Sequence, residues 1–107
     1  MAKKKHLFSW TGFYSKHLVS AVVANAAPTL VVLTFAPANA VKAFTDSIAA
    51  EFTLAGKTVD LLTVNRTAGT VTVRVTVAYV NGNVISLVHN DAGKGATVTT
   101  SVTNNVA

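Results

Sequence analysis

Few residues in this chain have side chains that could perform chemistry. The sequence contains no cysteine, which excludes disulfides, thiol catalysis and cysteine-bound metals. Its acids are scattered singly along the chain: Asp46, Glu51, Asp60 and Asp91. An active site needs a nucleophile, an acid-base pair or a metal. We therefore predict no catalytic, cofactor-binding or metal-binding residues, and we expect that the protein is not an enzyme.

The nearest approach to a reactive pair is His89 with Asp91. The two residues lie two positions apart near the end of a predicted strand. This spacing is common by chance, and the other histidines, His6 and His17, show no metal-ligand spacing with it. A histidine without a defined partner is weak evidence for catalysis. We interpret His89 as a structural or solvated residue.

Lysines and aromatic residues are concentrated at the N terminus. Residues 1–17 hold four lysines and no acid, whereas residues 18–107 are close to neutral. Such asymmetry favours contact between a basic arm and a polyanion or an anionic surface. Lysines neutralise phosphates, and aromatic side chains stack on bases. The residues predicted to bind nucleic acid are Lys3, Lys4, Lys5, Trp10 and Lys16. The same composition suits a membrane interface or docking on a neighbouring subunit.

Behind this arm, residues 18–107 predict a single α+β domain, because a chain of this length holds one core. Residues 18–27 fit either a helix or a buried strand, and residues 29–35 form an apolar run that is typical of a buried strand. Pro37 and Asn39 favour the start of a helix. An apolar stripe then predicts an amphipathic helix that ends near Gly56 and buries Val41, Phe44, Ile48 and Phe52.

The remaining residues predict strands at 58–64, 70–80, 83–89 and 96–103, the last of them at an edge. Residues 70–80 alternate between valine and polar side chains, which is the pattern of a strand with one buried face. The predicted fold is therefore an antiparallel sheet of about five strands with one amphipathic helix, in the order β-α-β-β-β-β.

Asn81-Gly82 is a strong signal for a tight hairpin between two of these strands. A two-residue turn there pairs Ala78 with Ile85 and makes both faces of the hairpin apolar. One helix covers only one face of the sheet. We expect the uncovered face to make subunit contacts through Ala78, Val80, Ile85 and Leu87.

The low charge content supports association as well. Only 12% of the residues are charged, against about 25% in an average soluble domain. We expect a self-assembling structural protein of a virion: a viral or phage coat, capsid-associated or cement protein that contacts itself through its sheet and arm. Two alternatives stay open. One is a small nucleic-acid-binding module that uses the arm, and the other is a membrane-associated protein anchored through the uncharged residues 18–41.

Overall fold

Strands make up about half of the structure, more than any other element. A computed structural model describes residues 10–91 and 96–107. One short helix, α1 (Trp10–His17), precedes the strands, and two 3₁₀ helices span Ala38–Phe44 and Ala49–Glu51. The strands are β1 (Leu18–Val23), β2 (Leu30–Phe35), β3 (Phe52–Leu54), β4 (Val59–Asn65), β5 (Thr70–Val75), β6 (Ile85–Asp91) and β7 (Ala96–Asn104).

These strands form one mixed sheet that curls into a nearly closed barrel. The strand order is β3-β6-β7-β1-β2-β5-β4, and every neighbouring pair is antiparallel except β1 with β7. The two end strands, β3 and β4, approach each other, and Leu54 forms a bridge with Lys57 in the turn between them. The predicted fold, a five-stranded antiparallel sheet carrying one amphipathic helix, is therefore wrong.

The amphipathic helix predicted between Pro37 and Gly56 does not form. Both the backbone N–H and the hydroxyl of Thr45 donate to the Lys42 carbonyl, at 3.2 and 3.0 Å, and this turn ends the first 3₁₀ helix. Phe52 instead lies in β3. Val41 and Phe44 are buried, as the helical stripe predicts, but Ile48 is exposed. Phe52 fits the spacing of a helical stripe, but the pairing of β3 with β6 places it in a strand.

The hairpin predicted at Asn81-Gly82 does not form either. β5 ends at Val75 and pairs with β2 and β4, whereas β6 begins at Ile85 and pairs with β3 and β7. Gly82 does occupy a turn, with φ +87°, but this turn lies within a long loop at residues 76–84. The sequence signal does mark a turn at Gly82. Long-range pairing, however, determines which strands are neighbours, and β5 and β6 are not. β7, predicted as an edge strand, lies between β6 and β1.

Alternating side chains of each strand fill the barrel. On β5, Val71, Val73 and Val75 face inward, as the alternation predicts, while Thr72 and Arg74 face outward. The same alternation recurs on β2, β6 and β7. The largest fully buried side chains come from several elements: Tyr14, Phe35, Phe44, Leu33, Leu54, Leu87 and His89.

Helix α1 contributes Tyr14 to this core. The Tyr14 ring packs edge-to-face against Phe35 and Phe44, with centroids 5.4 and 6.0 Å away. The Thr100 hydroxyl on β7 donates a hydrogen bond to the Tyr14 phenol oxygen at 3.0 Å. The second half of the predicted arm thus packs against the barrel, at the end where β1 begins.

We expect Tyr14→Ala to lower the free energy of unfolding by about 3–5 kcal/mol, because it removes a buried aromatic ring. Tyr14→Phe keeps the ring and loses one hydrogen bond, so the expected loss is about 1 kcal/mol. Urea denaturation measures both, with Ser15→Ala on the exposed side of α1 as the control. Equal stability of Tyr14→Ala and wild type would contradict the docking of α1.

Gly69 fixes the approach of β5 to the first 3₁₀ helix. Its φ is +73°, and its carbonyl accepts a 2.8 Å hydrogen bond from the Phe35 N–H. A Cβ at this position would lie 2.8 Å from both the Phe35 oxygen and the Ala38 Cα. Gly82 also has positive φ, but a Cβ there would meet nothing within 4 Å. Gly69 is therefore constrained by both conformation and space.

The two glycines form a matched pair for mutation. Gly82→Ala should cost about 1–2 kcal/mol, because an L-residue is strained at positive φ. Gly69→Ala adds a backbone clash, so we expect a loss of about 3 kcal/mol or more. Denaturant titration of both variants checks the difference. A loss at Gly69 no larger than at Gly82 would mean that the backbone around Phe35 relaxes freely.

Candidate functional site

The residues predicted to bind nucleic acid fall partly outside the described chain. Lys3, Lys4 and Lys5 lie outside the described residues, and Trp10 is the first residue of α1. Lys16 is exposed in the last turn of that helix. The arm's part in binding nucleic acid stays a prediction.

The residues predicted to form an interface are divided between core and surface. Ile85 and Leu87 lie inside the barrel and are buried. Their predicted exposure is wrong, because it followed from pairing β6 with β5. Ala78 is half-buried, whereas Val80 is exposed. Of the four predicted interface residues, Val80 is the one that the fold presents to solvent.

The loop at residues 76–84 carries a group of exposed valines. The exposed fractions are 62% for Val77, 58% for Val80 and 97% for Val84. Single exposed apolar residues are common on protein surfaces, but here three come from the one loop at residues 76–84. We call Val77, Val80 and Val84 the valine surface. It lies at the end of the barrel away from α1, beside the connection between β1 and β2, where the Tyr79 N–H donates to the Pro28 carbonyl.

Two lateral contacts fix the first half of this loop. The Lys57 ammonium donates a 3.0 Å hydrogen bond to the Ala78 carbonyl and lies 4.9 Å from the centre of the Tyr79 ring. Tyr79 itself is buried. A lysine over an aromatic face adds a cation–π attraction. The Lys57 side chain thus holds the loop against the turn between β3 and β4.

Asparagine side chains fix the second half. The Asn104 amide donates to the carbonyls of Val80 and Asn83, at 2.9 and 3.0 Å. The Asn83 side-chain oxygen accepts from the Val80 N–H at 2.9 Å. These bonds join the loop to the end of β7. The valine surface is therefore ordered before any partner arrives, which reduces the entropy lost on binding.

Outward faces of the strands are mostly neutral. One row across the sheet consists of threonine and valine side chains from five strands: Thr63, Thr72, Val32, Val22 and Thr103. Asp60 and Arg74 pair with each other through two 3.0 Å hydrogen bonds, and the guanidinium holds the pKa of Asp60 below its usual value. An exposed pair of this kind contributes little to stability. The pair adds no net charge to this face of the sheet.

A polar cluster lies within the barrel at the α1 end. Glu51, His89 and Asp91 each offer one ligand atom, and these atoms all lie within 4.8 Å of one another. The antiparallel pairing of β3 with β6 places Phe52 opposite His89, so Glu51 at the end of the preceding 3₁₀ helix comes beside the ring. His89 and Asp91 both face inward because they are two residues apart on β6. We call this group the Glu51–His89–Asp91 cluster.

Packing around the cluster fixes the imidazole. The His89 ring is buried and stacks on Phe52, with centroids 4.2 Å apart and planes 8° from parallel. Its Nε2 lies 3.5 Å from Glu51 Oε1. Burial lowers the pKa of His89, while the carboxylates of Glu51 and Asp91 oppose that shift by favouring the charged ring.

Sequence reasoning noticed His89 and Asp91 but missed Glu51. The predicted helix placed Glu51 on its solvated side. In the structure Glu51 ends the second 3₁₀ helix, and its side chain lies beside His89. The pairing of β3 with β6 could not be read from local pattern.

None of the helices among the described residues has the length and apolar character needed to cross a membrane. The stretch at 18–41, taken as the anchor in the membrane alternative, forms β1, β2 and the start of the first 3₁₀ helix.

Asn104→Ala removes two hydrogen bonds from the loop at residues 76–84, so we expect the free energy of unfolding to fall by about 1–3 kcal/mol. Amide hydrogen exchange should accelerate at Val80 and Asn83 more than in β5. Asn105→Ala, at the exposed neighbouring position, is the matched control. Unchanged exchange in the loop would show that Asn104 does not order it.

Comparison with known proteins assigns no family. No protein-family model, no curated protein and no solved structure matches this chain.

Proposed function

We propose that this protein is a non-enzymatic structural subunit that associates with copies of itself through the valine surface. The observation that carries the proposal is the exposure of Val77, Val80 and Val84 on a loop held by Lys57 and Asn104. An apolar surface that is both exposed and ordered is typical of an interaction site.

The free energy of association favours several such contacts in a larger assembly over one contact in a dimer. Burying apolar area contributes about 25 cal/mol per Å², so a few hundred Å² contributes several kcal/mol before the entropy of association is subtracted. One such contact is weak. Several in a closed or extended assembly reinforce one another, because the later contacts form within the same particle.

Charge distribution supports the same proposal. Copies of a nearly neutral body can approach without strong repulsion, and the Asp60–Arg74 pair adds no net charge to the outer face of the sheet. A neutral β-rich body with a basic arm suits a virion component, either a coat, capsid-associated or cement protein. This assignment is an analogy of architecture, in which the arm's lysines would contact packaged nucleic acid.

Burial of the polar cluster supports a role without turnover. His89 and Asp91 are almost wholly inaccessible, and a general acid or base must come within hydrogen-bond distance of its substrate. The cluster's groups are suited to holding the barrel together rather than to meeting a substrate from solvent.

Val84→Asp tests the valine surface. Wild-type protein should show a native mass that is a multiple of 11.1 kDa by light scattering, and Val84→Asp should shift it to smaller species. Stability should change by no more than about 0.5 kcal/mol, because Val84 buries almost no area in the monomer. The hydrophobic contact should persist from low to high salt.

Val19→Asp is the matched control. Val19 is 64% exposed and lies on β1 near α1, at the opposite end of the barrel, so the same substitution there should leave the native mass unchanged. A wild-type protein that stays monomeric at high concentration in both salts would refute self-association. Equal masses for Val84→Asp and wild type would refute the valine surface.

A further inference from the structure

We infer that the Glu51–His89–Asp91 cluster binds a divalent transition-metal ion, with Zn²⁺ as the ion that its ligands fit best. An imidazole nitrogen and two carboxylate oxygens are a donor set that Zn²⁺ accepts. Ca²⁺ and Mg²⁺ prefer oxygen donors alone, and a soft ion such as Cu⁺ selects thiolates. The inference concerns the α1 end of the barrel and is independent of the valine surface.

The distance between Glu51 and His89 supports a shared ion. Their Oε1 and Nε2 atoms are 3.5 Å apart, which exceeds the usual range of about 2.7–3.2 Å for a hydrogen bond from nitrogen to oxygen. Two ligands that each lie about 2.1 Å from a tetrahedral ion are about 3.4 Å apart. The observed spacing is longer than an ordinary hydrogen bond, lies within ion-pair distance, and also matches the spacing of two ligands of one metal.

A second observation is the burial of the Glu51 oxygen itself. Oε1 is shielded from solvent and forms no hydrogen bond of ordinary length within the described part of the chain. Leaving a buried polar oxygen in this state costs free energy. A cation between Glu51 and His89 would supply the charge and the coordination that this atom needs.

Asp91 supplies the third ligand, and Phe52 holds the His89 ring in place. Asp91 lies on the same face of β6 as His89, and its carboxylate completes the set within 4.8 Å. Phe52 stacks on His89 and limits rotation of the imidazole. A small movement of the carboxylates brings three protein ligands to one tetrahedral ion, with the fourth position left for water.

Such an ion would have a structural effect. It would connect the second 3₁₀ helix, which contributes Glu51, to β6, which contributes the other two ligands. This is the side of the barrel where the end strand β3 is only three residues long. A metal bound only in the folded state raises stability by mass action.

The test uses the full chain, stripped with a chelator and then titrated with ZnCl₂. We expect one equivalent of zinc to remain after gel filtration. At a Zn²⁺ concentration a hundredfold above Kd, the melting temperature should rise by roughly 10 °C. Glu51→Gln keeps the shape of the side chain and should lose both effects. Asp60→Asn, which removes an exposed carboxylate outside the cluster, should retain both.

Co²⁺ provides a direct report on the ligands. Bound in the cluster it should give the intense visible absorption of a four-coordinate ion, and His89→Gln or Asp91→Asn should abolish that spectrum. The inference is overturned if stripped wild type takes up no zinc, or if Glu51→Gln binds it equally well. The weak spectrum of solvated, six-coordinate Co²⁺ in the wild type would overturn it too. If Glu51→Gln does not fold, the cobalt spectrum of Asp91→Asn decides.

Discussion

The architecture depends on the parallel pairing of β1 with β7. Without it, β4-β5-β2-β1 and β3-β6-β7 would be two separate sheets, each with one open apolar face. The join is short: Val22 and Val23 lie opposite Thr103 and Asn104, and the Asn105 N–H donates to the Val23 carbonyl at 2.9 Å. A few backbone hydrogen bonds therefore bring both inner faces around one core.

That join also sets where the two functional features lie. β7 begins at Ala96, which pairs with Asp91 of the polar cluster, and ends at Asn104, which holds the loop at residues 76–84. The polar cluster and the valine surface are consequently separated by the length of the strands. An ion at one end can stabilise the subunit without altering the surface proposed for contacts at the other end.

The sequence predicted local features well where a strand had one buried face. The valines of β5 face inward as their alternation required, and the apolar run at 29–35 corresponds to β2. The local sequence pattern gave wrong predictions where pairing with a strand distant in sequence determined the structure. Phe52 matched a helical stripe, yet it pairs with His89, and that pairing also brings Glu51 to the cluster. No local signal specifies that β6 pairs with β7 rather than with β5.

The order in which the strands can pair depends on the pairing of β1 with β7. β1 completes its hydrogen bonds only after β7 has been synthesised, and contacts between residues so far apart in sequence are slow to form. β1, β2, β5 and β4 can pair earlier, because their segments are synthesised first and lie closer together. Until β7 is added, these four strands lack the neighbour that helps to cover the apolar face lining the barrel. Their vulnerability to aggregation should therefore be greatest just before the last strand is added.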